Sequence, residues 1–237
     1  MRLDKYLSKV LDLSRSESKK LITKKVIKVN GLLVNKNIDI DEKNDSVYCD
    51  DNKLEYKEFV YLALNKPKDF VSSHSDEFNY QSVYNLIDKK YHKCEIIGRL
   101  DVDTTGLLIF TNQTSKIHEL LSPKKHAWKT YLVTHLKQLN QTDIDKLKNG
   151  IKINEEFTTL GAKVKKVSDF QTLLSIREGK FHQIKRMFKA IENEVKQLER
   201  ISFNKLNLYN LKIKTGEYKE LNEREIELLL DYEKNNN

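Results

Sequence analysis

Cysteine is nearly absent from this chain of 237 residues, and Cys49 and Cys94 sit far apart with no second Cys or His pair at metal-ligand spacing. A disulfide framework and a Cys/His zinc site are therefore both excluded, and a reducing compartment fits. With only 2 Pro and 7 Gly the chain is neither collagen-like nor a low-complexity linker. Long hydrophobic runs are missing too. The longest, Phe59 to Leu64, is far too short to span a bilayer, and the start Met1-Arg2-Leu3-Asp4-Lys5 lacks the apolar stretch of a secretory signal. A cytoplasmic protein with no membrane association is the expectation. What is present is 38% apolar and 33% charged residues, too apolar for disorder and enough for one large core or a core with a small satellite domain.

Charge is the first positive signal. The chain carries 43 Lys+Arg against 35 Asp+Glu, a net of +8 and a pI near 9.2, which suits a polyanionic partner. The surplus is uneven: residues 1 to 36 hold ten basic and three acidic side chains, residues 37 to 58 three and eight, and the rest thirty and twenty-four. The basic segment reads as a helix near Leu3 to Leu11, then a capping box, Ser14 with Glu17, that opens a second helix over Arg15 to Lys24. Leu21 and Ile22 face inward in this reading, with Arg15, Lys19, Lys20 and Lys24 on the other side. Val26 to Val29, Asn30-Gly31 and Leu32 to Val34 read as strand, tight turn and strand. Taken alone, a lysine-rich helix face is most simply a solvated surface.

Arg2-Leu3-Asp4-Lys5-Tyr6-Leu7, Ser14-Arg15-Ser16 and Val29-Asn30-Gly31 resemble, in order, the small RNA-binding module named after ribosomal protein S-four. The resemblance implies that Arg2, Arg15, Lys19, Lys20 and Lys24 contact RNA phosphates. A domain boundary near residue 58 follows the acidic stretch, giving a first domain over 1–58 and a second over 59–237. In the second, strand-like pieces at Val60 to Leu64, Leu107 to Thr111, Thr130 to Thr134, Gly161 to Val167 and Gln171 to Ile176 outnumber helix-like pieces. The latter fall near Ser82 to Ile87, Ser115 to Leu121, Thr142 to Lys148, His182 to Glu192 and Glu223 to Asp231. They do not alternate regularly, so an α+β domain on a mostly antiparallel sheet flanked by helices is expected.

The densest chemistry is Gly98-Arg99-Leu100-Asp101-Val102-Asp103-Thr104-Thr105-Gly106, a tight loop running into the apolar strand Leu107 to Phe110. Two carboxylates beside an arginine on such a loop suit a nucleophile, a base or a metal ligand, although Asp and Thr also cap ordinary turns. Asp101, Asp103 and Thr105 match the D-x-D-x-T of phosphatases of the haloacid dehalogenase type. That family needs an apolar strand before the first Asp, where Arg99 intrudes, and a later Gly-Asp, of which this sequence has none.

Together with Leu64-Asn65-Lys66-Pro67, Lys129-Thr130-Tyr131-Leu132-Val133 and the run Glu178 to Phe188, the loop resembles the ordered motifs of the RsuA-type branch of the pseudouridine synthases, which often carry the S-four-type module. The resemblance implies that Asp101 attacks a uridine, on the ribose or on the base, that Tyr131 stacks on the flipped base, and that Lys185 pairs with Asp101. It implies no metal and no cofactor. Ile184, Met187, Phe188, Ile191 and Val195 form one helical stripe with Lys185 at its edge, about 100° from Ile184, whereas Arg186 points toward solvent. Arg186 is the second candidate partner of Asp101 and, with Arg99, a candidate phosphate contact. Phe181-His182-Gln183 and Asp103-Thr104-Thr105 resemble enzymes of small-subunit (16S) ribosomal RNA, so the expected partner is that RNA or an assembly intermediate, and the expected state a monomer. A large-subunit synthase and a non-catalytic ribosome-assembly protein are the alternatives.

Overall fold

The computed structural model describes residues 1–122 and 127–231. They divide into two compact units, Met1–Glu58 and the residues from Phe59 on. In the first unit, α1 (Leu3–Val10) buries Leu3, Tyr6 and Leu7, which recur at the three- and four-residue spacing of one helical face. Ser14 caps α2 (Arg15–Thr23) in a full capping box with Glu17. Ile22 and Ser18 face inward, Leu21 is half-buried, and Arg15, Lys19, Lys20 and Lys24 are exposed. A hairpin follows, β1 (Ile27–Val29) and β2 (Leu32–Leu33), joined through Asn30 and Gly31 at φ 52° and 80°. Both central residues are left-handed, as the Asn-Gly turn requires. β3 (Val47–Cys49) and β4 (Asn52–Leu54) complete a four-stranded sheet in the order β2-β1-β3-β4. Part of the acidic stretch, Val47 to Leu54, thus belongs to this sheet.

The second unit starts with β5 (Tyr61–Lys66), which Pro67 ends because it has no N–H to donate. Short strands β6 (Phe70–Val71) and β7 (Gln81–Ser82) come next, then a 3-10 turn over Val83–Leu86 where an α-helix is expected from sequence. β8 (Glu95–Ile97), β9 (Thr105–Thr111), α3 (Thr114–Leu121), β10 (Lys129–His135) and α4 (Gln141–Asn149) lead into β11 (Lys163–Lys166) and β12 (Gln171–Ile176). The chain closes with α5 (Gln183–Ala190), β13 (Val195–Phe203), β14 (Leu206–Asn207), α6 (Leu208–Leu211), β15 (Tyr218–Glu220) and α7 (Glu223–Leu230).

These strands form a nine-stranded sheet with main path β11-β12-β10-β13-β9-β5-β15, antiparallel except where β13 meets β9. The architecture is α+β. Successive residues of β5 and β9 belong to different clusters: Leu62, Leu64, Leu108 and Phe110 pack with Met187 and Phe188 of α5. Tyr61, Ala63, Leu107 and Ile109 pack with Leu120 of α3 and Leu229 of α7. Covered on both faces, these strands read as unbroken apolar runs, whereas β10 and β12 alternate.

Val195 is the clear departure from the sequence reading. It continues the apolar spacing of α5, but that helix ends at Ala190, the chain turns at Glu192 with φ 56°, and Val195 opens β13. Pairing with β10 along most of its length, and with β9 through two residues, overrides the helical spacing.

Candidate active site

β9 and β13 run parallel where Gly106 lies opposite Arg200. Gly106 has φ 99°, and a Cβ there would stand 2.4 Å from the Arg200 carbonyl oxygen. Only glycine permits this approach, which accounts for the residue that closes the Asp-Thr-Thr-Gly motif. Arg200 itself is 1% exposed. Its guanidinium donates to the carbonyls of Leu107 at 2.7 Å and Gly98 at 3.0 Å, so it ties the start of β9 to the start of the loop.

The loop from Gly98 to Thr104 has no regular structure, yet its backbone is held from several sides. Lys66 at the end of β5 is fully buried, and its Nζ donates to the carbonyls of Asp101, Val102 and Thr104 at 3.1, 3.2 and 2.9 Å and to Pro67 at 3.0 Å. Ser72 Oγ donates to Leu100 O and accepts from Leu100 N, and Asp69 N donates to Val102 O. The segment 66–72 therefore clamps the loop from beneath, and the Asp101 side chain is presented by a backbone fixed on both sides of it. Burial pushes the Lys66 ammonium down to about 8, against the opposing pull of Asp103 and Asp101.

Around Asp101 stand His182 and Lys185. His182 caps α5 in a left-handed conformation, φ 50°, with Nε2 3.7 Å from Asp101 Oδ1. A non-glycine residue at such a φ is a local strain that active sites commonly retain. Lys185 Nζ lies 3.4 Å from Asp101 Oδ2 and 2.6 Å from Asp103 Oδ1, so one ammonium is shared by both carboxylates. Burial raises the Asp103 carboxyl, but the Lys185 contact outweighs it and holds the group below its usual range.

Arg186 does not point to solvent. It is half-buried and donates to the carbonyls of Ile153 at 3.3 Å and Phe181 at 3.5 Å, so the helical turn that brings Lys185 to Asp101 commits Arg186 to the backbone.

Tyr131 lies on β10, opposite Arg200 and just past a bulge between Thr130 and Tyr131. Bulges re-aim side chains, and Tyr131 is buried in the core cluster with Leu174 and Ile184 while also lining the site. A small cavity of about 90 Å³ and a larger cleft of about 910 Å³ both include Asp101, Tyr131, His182 and Lys185 in their walls. Arg99 is exposed and lines both. Lys129 reaches the larger cleft from below, buried, donating to Ala127 O, and is pushed down to about 8 by burial and by Arg200.

Sequence reasoning placed Asp101, Tyr131 and Lys185, and the fold gathers them. It assigned no role to Lys66, Arg200, Lys129 or His182, although Lys66, Lys129 and His182 stand inside the ordered motifs. In the first unit, the buried Asp4 carboxylate faces Arg2 at 3.5 Å and Arg15 at 3.8 Å through the same oxygen, bringing those two cations together. Among the described residues no group of three or more His, Cys, Asp or Glu is arranged to hold a metal, and no helix is long and apolar enough to cross a membrane.

A carboxyl group on a clamped loop, a shared lysine and a buried tyrosine at a cleft suit nucleophilic chemistry on a planar substrate. The RNA pseudouridylate synthase family model matches residues 60–190, and the S4 domain matches residues 1–44. The chain is 39% identical to an RNA pseudouridine synthase of Bacillus subtilis, over 97% of this chain and 98% of that one. It is 36% identical to the ribosomal small subunit pseudouridine synthase A of Haemophilus influenzae, over 97% and 100%, and 34% identical to that of Escherichia coli, over 95% and 98%. A crystal structure of a pseudouridylate synthase superposes with a TM-score of 0.68 at 36% identity, covering 97% of this chain and 99% of that one. The protein, with an S4 domain at its N-terminus, belongs to the RNA pseudouridylate synthase family.

Proposed function

We propose that this protein converts a specific uridine of small-subunit ribosomal RNA to pseudouridine, with Asp101 as the nucleophile. The observation that carries the reading is the Asp101 carboxylate itself, fixed by the Lys66 clamp and flanked by Lys185 and His182 at the cleft. Attack by Asp101 on the ribose or on the base breaks the N-glycosidic bond. The base turns, its C5 bonds to the ribose, the bond to Asp101 breaks and frees the carboxylate, the C5 proton leaves, and N1 ends protonated, so the reaction is an isomerisation with no cofactor. Tyr131 offers a ring face to the flipped base and a hydroxyl for the proton at C5. Lys185 holds Asp101 and Asp103 in register.

A base within folded RNA must be extruded, which costs a few kcal/mol. In this reading the first unit offsets that cost by phosphate contacts from Arg2, Arg15, Lys19, Lys20 and Lys24, all exposed and matched by an S4 domain. Arg99 and Arg186 add positive charge at the catalytic unit. The small-subunit assignment rests on relatives named for that activity and on Phe181-His182-Gln183. The enzyme acts as a cytoplasmic monomer on that RNA or on an assembly intermediate.

Small- and large-subunit ribosomal RNA, each incubated with enzyme and mapped chemically for new pseudouridine, test both parts. Conversion is expected in the small-subunit RNA, and Asp101→Asn should lower it by at least about a thousandfold while RNA affinity persists. Undiminished turnover in that variant overturns the nucleophile, and conversion confined to large-subunit RNA overturns the substrate.

A further inference from the structure

Phe78 and Phe181 are 89% and 76% exposed, the two most exposed large apolar side chains among the described residues. Both line the larger cleft that contains Asp101. Neither contributes to a core, so folding alone does not explain them.

Phe78 is the more telling. It and Asn79 have φ 48° and 69° and form a two-residue turn closed by reciprocal backbone hydrogen bonds between Glu77 and Tyr80, at 3.1 and 2.8 Å. Turns of this kind select Gly, Asn or Asp at both central positions. A bulky aromatic there is strained and hydrated at once, which points to a ligand. Phe181 stacks on His182, centroids 3.8 Å apart at 19°, and His182 in turn approaches Asp101 at 3.7 Å. The phenylalanine thus extends a row that begins at the reactive carboxylate. Arg99, Lys180 and Lys185 line the same cleft. Bare aromatic faces among cations fit a ligand with planar groups on an anionic backbone, as in single-stranded nucleic acid.

We infer that Phe78 and Phe181 are stacking platforms for the unpaired bases that flank the target uridine. The inference rests on the proposed RNA substrate and deepens it. Extruding a uridine strips its neighbours of a stacking partner, and an aromatic ring at each side returns that contact where the base has left.

The test uses the full chain carrying Asp101→Asn, so that binding is read without turnover. One probe is a short single-stranded RNA with a single uridine flanked on both sides by 2-aminopurine, whose fluorescence is quenched by stacking. The second is the same RNA with abasic flanks. The base-bearing RNA should bind about tenfold tighter than the abasic one and show a change in 2-aminopurine emission on binding. Phe78→Asn, suited to the left-handed turn, and Phe181→Ala should each weaken its binding by about fivefold or more and reduce the emission change. Phe181→Tyr should restore both signals, and the thermal midpoint of Phe78→Asn should equal or exceed that of its parent. Equal affinity for the two RNAs, or emission changes untouched by the phenylalanine variants, overturns the inference. If the wild-type enzyme converts no uridine while both signals depend on the two phenylalanines, the reaction assignment fails and the stacking site stands. Conversion without that dependence removes the stacking site and leaves the reaction assignment intact.

Discussion

The two units use the same residue types for opposite ends. In the first, Arg15, Lys19, Lys20 and Lys24 lie exposed on a capped helix. Cations of this kind stay hydrated, cost little to keep and contribute affinity that salt screens. In the second, Lys66, Lys129 and Arg200 are buried and bonded to backbone carbonyls. There each cation is a structural fastener, and removing it leaves acceptors unpaired away from water. A basic residue therefore acquires its role from burial, and charge counted along the chain does not separate the two kinds.

Lys66→Met gives the contrast its largest expected effect. It strips the Nζ contacts from four carbonyls, three of them in the Asp101 loop, where Val102 O and Asp101 O keep the Asp69 and Thr104 amides; a carbonyl left unsatisfied away from water costs about 1–3 kcal/mol. Turnover should fall by at least about a hundredfold, and thermal unfolding should show a lowered midpoint. A variant with wild-type kcat and midpoint would reduce the clamp to a bystander.

Alkaline pH should produce a subtler break. Lys66 titrates at about 8 in the fold, against an unperturbed 10.5. Between those values the unfolded chain holds more protons, so this group's contribution to stability rises with pH. Its neutral amine has fewer protons for the same carbonyls, so kcat should decline above about pH 8 with no matching loss of thermal midpoint. Lys129 shifts similarly and donates to Ala127 O rather than to the Asp101 loop, so a Lys129→Gln enzyme that keeps the alkaline limb assigns it to Lys66.

The first unit should respond most gently. With Lys19, Lys20 and Lys24 replaced by Gln, the slope of log affinity against log salt should shallow by about 2, with the cost falling on KM. An unchanged slope would make that helix face ordinary solvated surface.

Much of the first unit was legible in the sequence because its signals are local. Ser14 with Glu17 and the Asn30-Gly31 turn each specify their geometry within four residues. The site was legible only in part. Helical geometry separates Lys185 from Arg186, since neighbouring residues on α5 point about 100° apart, although it sent Arg186 to solvent rather than to the Ile153 carbonyl. β13 escaped because Val195 fits the spacing of α5, and its strand character comes from partners distant in sequence.

The sequence by itself determined the segregation of charge, the two helices of the first unit, the ordered motifs and the candidate site side chains they carry. Tertiary structure alone decided that Lys66 and Arg200 would be buried beneath those motifs, that Gly106 would meet the Arg200 backbone, and that two exposed phenylalanines would share a cleft with Asp101. Local backbone preferences act over a few residues and can be read in order. Burial and close approach depend on which distant segments a fold brings together.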